Sequence, residues 1–196
     1  MADKLLICIS ADQASVAMSH NGKLGRCRVF RNDEPGRQDF DRLLASIRNV
    51  PVQVMVDVVE EDYRFELLPH ARGRDRGELV EGRSRQLYRN RPYCAAVLQG
   101  RDPGKRRDDQ YLFLALLNPD LVENWLAQVR SHDLPVAGVY LLPVVAEPLI
   151  QKIAPATPNL LLVARHNAGL RLTFFRLGKL RISRLTRVET GDTRAR

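Results

Sequence analysis

The sequence predicts an α/β protein in the order β-β-β-α-β-α, with a small α+β unit inserted after the fourth strand. Three observations predict it. Residues 4–31 and 159–185 share one layout of strand, turn, strand, turn, strand, with Asn21-Gly22 and Leu177-Gly178 at corresponding turns. Residues 36–49 carry apolar side chains at helical spacing and lead into the β-branched run 52–59 (VQVMVDVV). Residues 60–109 then change character, with edge-strand alternation and a dense arginine stretch.

Residues 4–10 (KLLICIS) read as a buried strand that ends in a tight turn at Ala11, Asp12 and Gln13. Residues 14–19 and 23–31 follow as strands, joined by Asn21-Gly22, a dipeptide that accepts the positive φ of a two-residue hairpin. The next helix, over 36–49, puts Phe40, Leu43, Leu44 and Ile47 on one face. Asp39 and Asp41 fall in its first turn and Arg48 in its last, as the helix dipole favours. Pro51 opens the fourth strand, and the crossover helix before it implies that this strand runs parallel to the first.

Residues 63–68 (YRFELL) alternate as an edge strand does, and Pro69 ends them. Residues 75–88 hold Leu79, Val80, Leu87 and Tyr88 among arginines and glutamates, a short amphipathic helix. Residues 92–99 (PYCAAVLQ) are strand-like, and 100–109 (GRDPGKRRDD) form a polar hairpin tip. The main fold is expected to resume at 110–117 (QYLFLALL), a nearly continuous apolar strand. Asn118-Pro119-Asp120 combines a capping side chain, a proline at the first position and an acid in the first turn of a helix. Leu121, Val122, Trp125, Leu126 and Val129 form its apolar face, with Trp125 a core anchor. A strand over 135–142, a helix over 143–153 and the linker 154–158 (APATP) precede the second set of hairpins. The expected organisation is a first lobe from 1–60 and 110–155, an inserted subdomain over 61–109, the start of a second lobe over 156–189, and a disordered tail over 190–196.

A chain of 196 residues is long enough to bury a substantial core, and its 44% hydrophobic and 28% charged content is that of a soluble globular protein. No apolar run approaches the length of a membrane span and the N-terminus lacks a signal-peptide pattern, so a cytoplasmic protein, or the cytoplasmic part of a longer one, is expected. Cys8, Cys27 and Cys94 form no C-x-x-C pair. They read as small buried hydrophobes, and His20, His70, His132 and His166 have no metal-ligand spacing. The net charge of +8 attracts nucleic acid and anionic membranes without specificity. Only Tyr88 and Tyr93 interleave with the basic residues, so there is no stacking platform and no specific nucleic-acid partner is expected. An arginine-rich nucleic-acid binder is the weakest alternative.

Asp57, Glu60, Glu61 and Asp62 follow a buried strand and, with no partner motif, read as its solvated exit. Residues 100–105 (GRDPGK) are one residue too short between glycines for a phosphate-binding P-loop and no Ser or Thr follows Lys105. The arginines of 72–91 have two readings. One is a solvated face in which Glu78 and Glu81 pair with Arg85 and its neighbours. The other is a docking surface for an acidic partner, built from Arg72, Arg74, Arg76, Arg83, Arg85 and Arg89.

Three stretches carry a resemblance. They are 63–69 (YRFELLP) with 83–88 (RSRQLY) and Pro92-Tyr93; 111–150; and 159–185, which ends in an aromatic strand, Gly178-Lys179 and a strand holding Ser183-Arg184. In this order the chain resembles the actin-like ATPase superfamily, with its ribonuclease H-like lobes. Within it, the chain looks most like the PilM-, MshI- and GspL-like assembly proteins of type IV pili and type II secretion. The resemblance implies a fold with two lobes, of which only the first hairpins of the second are present. It also implies a place for Mg-ATP between two turns reading Asp-x-Gly, where the glycine admits backbone N–H groups to the phosphates and the carboxylate orients metal-bound water. This chain departs from that pattern. Cys8 and Ser10 stand at the first turn, and Val163 or Ala164, then Arg165, at the second; Asp12 lies past the required position. Ser10, Asp12 and Gln13 would then be a vestigial phosphate turn, with no catalytic residue, no metal and no cofactor expected, ATP alone being left open. The function implied is a non-catalytic cytoplasmic platform held at the inner face of the membrane by its partners. Those would be the cytoplasmic tail of a membrane assembly protein and the motor ATPase. The alternative is an active Mg-ATP-binding ATPase.

Overall fold

The computed structural model describes residues 3–104 and 106–187. The chain opens with β1 (Lys4–Ile9), β2 (Gln13–His20), β3 (Lys23–Leu24) and β4 (Arg28–Arg31), followed by α1 (Glu34–Ala45) and β5 (Val52–Val56). β1 alternates half-buried and buried side chains, with Leu5, Ile7 and Ile9 in the core. It pairs antiparallel with β2 and parallel with β5, as the crossover through α1 requires. The single third strand expected over 23–31 is split. β3 and β4 both pair with β2, while residues 25–27 leave the ladder, with the Gly25 N–H still donating to the Met18 carbonyl at 2.8 Å. Phe30 alone of this stretch is buried, so little apolar packing holds it in one straight strand.

α1 starts earlier than its apolar spacing implied. The Asp33 carboxylate accepts the Gly36 N–H at 2.9 Å, and Glu34 and Pro35 occupy the first turn. Phe40 is held edge-on between Phe30 and Trp125, at centroid distances of 5.5 and 5.1 Å, which makes Trp125 the anchor expected of it.

β6 (Glu61–Leu68), α2 (Gly73–Leu87), β7 (Cys94–Arg101) and β8 (Asp109–Leu116) come next. The strand over 110–117, expected where the main fold resumes, stands outside the main sheet. β8 pairs antiparallel with β6 on one side and β7 on the other, as the middle strand of a separate three-stranded sheet. From Tyr111 onward its run is apolar because both faces are covered. Leu112, Leu114 and Leu116 enter the main core, whereas Tyr111, Phe113 and Ala115 join Leu68 and Tyr88 beneath α2.

α3 (Asp120–Ser131) buries Val122, Trp125, Leu126 and Val129. The cap expected from Asn118 is not made: the helix starts at Pro119, whose carbonyl accepts from Val122 and Glu123 at 2.9 Å, and no side chain caps it. β9 (Val136–Leu141) is parallel to β5 and ends the main sheet, whose order is β3-β2-β1-β5-β9 with β4 also on β2. α4 (Leu142–Ile153) packs against β9 and β5, and against β12 (Lys179–Thr186) of a third sheet completed by β10 (Asn159–His166) and β11 (Gly169–Arg176). Buried Glu147 of α4 accepts the Leu180 N–H at 2.8 Å and is approached by Gln99 Nε2 at 3.4 Å, so one carboxylate ties α4 to β12 and β7. Gly169 opens β11 at φ +138°, with the Thr186 carbonyl where a Cβ would project; no other residue fits there. The inner face of this sheet joins the core through Phe175 and Leu180, while Leu161, Val163 and Ile182 stand exposed on the outer face. The tail expected over 190–196 lies outside the described residues. No helix among the described residues is long and apolar enough to cross a membrane.

Candidate functional site

The two turns that the repeat set apart meet in space. The turn between β1 and β2 faces the one between β10 and β11 across a cleft of about 160 Å³, lined by Ala11, Asp12, Val58, Val59, Asn167, Ala168 and Arg187. The first turn is closed on itself: the Ser10 N–H and Oγ both donate to the Gln13 carbonyl, at 2.9 and 3.1 Å. Asp12 is exposed at the cleft, and its carbonyl accepts from the Asn32 N–H at 2.8 Å. Of the expected turn residues, Ser10 and Gln13 therefore bond each other and Asp12 alone faces the opening. Cys8, where a carboxylate would be needed, is a neutral thiol: burial, aided by Asp57, pushes its pKa to about 11.

Beneath this cleft lies a buried ion network. The Asp57 N–H donates to the Ile9 carbonyl at 2.8 Å, which holds the residue beside the end of β1. Arg171, on the inner face of β11, donates to Asp57 Oδ1 from Nε at 2.9 Å and from Nη2 at 2.7 Å. Its Nη1 donates to Ser183 Oγ at 2.8 Å and to Glu61. His166 Nδ1 sits 3.1 Å from Asp57 Oδ2, and Tyr63 donates its hydroxyl to Glu61 Oε2 at 2.9 Å. This corrects the reading of Asp57 and Glu61 as a solvated strand exit. The side chains of both are 4% exposed and both are paired. Burial raises the Glu61 carboxyl against the opposing pull of Arg171, and raises the Tyr63 hydroxyl well above its usual range, with the Glu61 charge adding to it. Arg171 was missed because nothing in the local pattern of β11 distinguishes it from the exposed arginines around it. Its inward position in a strand of period two is the one available signal. Among the described residues no group of three or more His, Cys, Asp or Glu side chains could hold a metal ion.

A second cavity is apolar. It measures about 470 Å³ and lies between β7 and β9, each the terminal strand of its sheet. Tyr93, Val97, Leu114, Leu116, Val139 and Val144 line most of it, and no charged side chain among the described residues does. A wide concavity of about 950 Å³ adjoins it at the C-terminal end of α2, sharing Pro92 and Cys94 and bringing in Ser84, Arg85, Arg89 and Arg91. Cys94 is exposed here on its terminal strand and Cys27 is exposed in the break between β3 and β4, so neither is the buried hydrophobe expected.

The arginines of α2 do not form one surface, since the helix is roughly 22 Å long. Arg72, Arg74 and Arg76 are exposed around its N-terminal end, where Arg74 pairs with Glu78 at 2.7 Å. Arg83 turns to Glu66 on β6 at 2.9 Å and to Gln86 at 3.0 Å. Arg85, paired with Glu81 at 2.6 Å, and Arg89 reach the C-terminal concavity, where Arg91 joins them. Of the local pairs expected around Arg85, that with Glu81 is present, whereas Glu78 pairs with Arg74 instead, and the expected docking set is divided between the two ends of the helix.

The fold is that of the actin-like ATPases. Superposition on the PilM–PilN type IV pilus biogenesis complex gives a TM-score of 0.69 at 15% identity, covering 93% of this chain and 60% of that one. The cytoplasmic domain of EpsL, an inner-membrane component of the type II secretion system of Vibrio cholerae, gives 0.57 at 10% identity, covering 94% and 71%. A Bacteroides thetaiotaomicron protein with an actin-like ATPase fold and unknown function gives 0.53 at 12%, covering 95% and 70%. The chain thus spans 60% of the length of the PilM–PilN chain it matches. No protein-family model and no curated protein matches the sequence.

Proposed function

We propose that this actin-like chain, similar in fold to PilM and to cytoplasmic EpsL, is a non-catalytic platform of a type IV pilus or type II secretion assembly machine. In this reading it works at the inner face of the membrane by binding the cytoplasmic tail of a membrane-anchored assembly protein, and it contacts the motor ATPase through its surface. The observation that carries the reading is the apolar cleft between β7 and β9. Its volume of about 470 Å³ falls within the roughly 300–1,000 Å³ of ligand sites. A segment lying along either terminal strand could bond to its free backbone groups while alternate side chains fill the cleft. Each Leu- or Val-sized anchor buried there would contribute about 1.5–3 kcal/mol.

The cleft between the two turns supports the non-catalytic half. At about 160 Å³ it is below the ligand range, Ser10 spends both its donors within the first turn, and Cys8 carries no charge to orient a metal-bound water. The Arg171 guanidinium, the nearest deeply buried cation, is already committed to Asp57 and Glu61. Calorimetric titration with Mg-ATP tests this directly. The expected result is no saturable heat; micromolar saturable binding would overturn the reading and return the protein to the ATPases.

A further inference from the structure

Resting on that reading of the cleft, we infer that the tail segment it accepts carries acidic residues beside its apolar anchors, seated against Arg85, Arg89 and Arg91. The cleft lies on the Leu114 and Leu116 face of the second sheet and the basic concavity on its α2 face, and the two adjoin at Pro92 and Cys94, so an extended segment that leaves the first around this edge of β7 meets the second. The two differ sharply in chemistry. Among the described residues no charged side chain lines the cleft, whereas three arginines and a single carboxylate line the concavity.

That carboxylate, Glu81, is engaged by Arg85 at 2.6 Å. Arg91 donates from Nη1 to the Leu117 carbonyl, which fixes its stem; among the described residues neither it nor exposed Arg89 has a carboxylate partner. Glu123, beyond Tyr93, is occupied by the Tyr93 hydroxyl and by Arg130 at 2.9 Å, so it does not neutralise the rim. A segment bringing Lys or Arg to this rim would meet uncompensated like charge, while Asp or Glu would find donors arranged for carboxylate. The net charge of +8 gives the long-range field the same sign. Partner choice would then come from two adjoining subsites, with apolar anchors supplying affinity and the acidic flank supplying orientation.

The test is fluorescence anisotropy on the full chain with labelled peptides holding a Leu-Val-Leu-Val core, flanked at one end or the other by Asp, Ser or Lys triplets. The Asp-flanked peptide is expected to bind about tenfold more tightly than the Ser-flanked one, and the Lys-flanked peptide more weakly than both. The advantage should vanish in about 0.5 M salt, where the Debye length is about 4 Å. It should also vanish in Arg89→Glu, whose urea midpoint reports that the fold is retained. Equal binding of all three peptides would overturn the acidic flank while leaving the cleft reading standing. No binding by any of them would remove both. Loss of phosphatidylserine-vesicle binding in Arg89→Glu, with no preference among the peptides, would overturn the inference and give the rim to the membrane.

Discussion

Arg171 and Asp57 form a two-point ion pair in which Nε and Nη2 both reach Oδ1, at 2.9 and 2.7 Å, with each residue 3% exposed. The pair joins β11 to the end of β5 directly beneath the two facing turns. Glu61, Ser183 and His166 complete its surroundings, so the guanidinium is satisfied on all sides facing charge. A buried pair of this kind gains little over an apolar replacement of similar volume, but removing one partner leaves the other charge stranded.

Arg171→Met is therefore expected to destabilise the protein by about 3–5 kcal/mol. Arg171→Met combined with Asp57→Leu and Glu61→Gln should recover a large part of that loss. Urea denaturation of the single and triple variants measures both. A single variant within about 0.5 kcal/mol of the parent would show that the pair does not hold the third sheet to the first.

Ser10→Ala removes one hydrogen bond, from Oγ to the Gln13 carbonyl, and leaves the backbone bond of the same turn in place. A stability loss of about 0.5–1.5 kcal/mol is expected. Binding of the tail peptide should not change. A variant that folds but no longer binds would mean that the first turn takes part in function.

The pH dependence of stability should carry the mark of Asp109 at the start of β8. The His70 hydrogen bond, with Arg101 beside it, holds its carboxyl below the usual carboxylate range. A depressed carboxylate contributes stability that is fully present above the unfolded-chain value and is lost as pH falls through the lower folded value. Asp109→Asn should thus be destabilising near pH ~7 and much less so near pH ~2.5. Equal urea midpoint shifts at both pH values would rule this out.

In the cleft, Val139→Asp puts a carboxylate among Val97, Leu114 and Val144 without touching the ion network under the turns. Peptide affinity should fall at least about tenfold, the cost of an unpaired charge in an apolar site. Circular dichroism of the variant checks that the fold survives. Unchanged affinity in a folded variant would place the peptide elsewhere.

The outer face of the third sheet exposes Leu161 and Ile182, each 60% accessible. Thr at both positions keeps strand propensity and should leave the urea midpoint within about 0.5 kcal/mol of the parent, while lowering light scattering at high concentration.

Much of the architecture followed from short-range chemistry. Turn residues and alternation marked the strands on either side of Asn21-Gly22 and Leu177-Gly178, and the helical spacing of Phe40, Leu44 and Ile47 marked a crossover that makes β5 parallel to β1. The departures of Cys8 and Ser10 from a phosphate turn were equally visible, since that pattern is read within a few residues. Tertiary structure decided the rest. β8 is apolar on both faces, so its run holds no period that says which sheet it joins; only its pairing with β6 and β7 does. Asp57 and Glu61 read as a solvated strand exit until Arg171, more than a hundred positions along the chain, folded onto them. Six arginines near one helix read as one surface until its length set Arg72 and Arg89 apart and brought Arg91 beside the cleft. The physical reason is common to all three. Periodicity and capping act over a few residues, whereas burial on two faces, ion pairing and the sharing of a cavity depend on contacts that exist only once distant segments have packed.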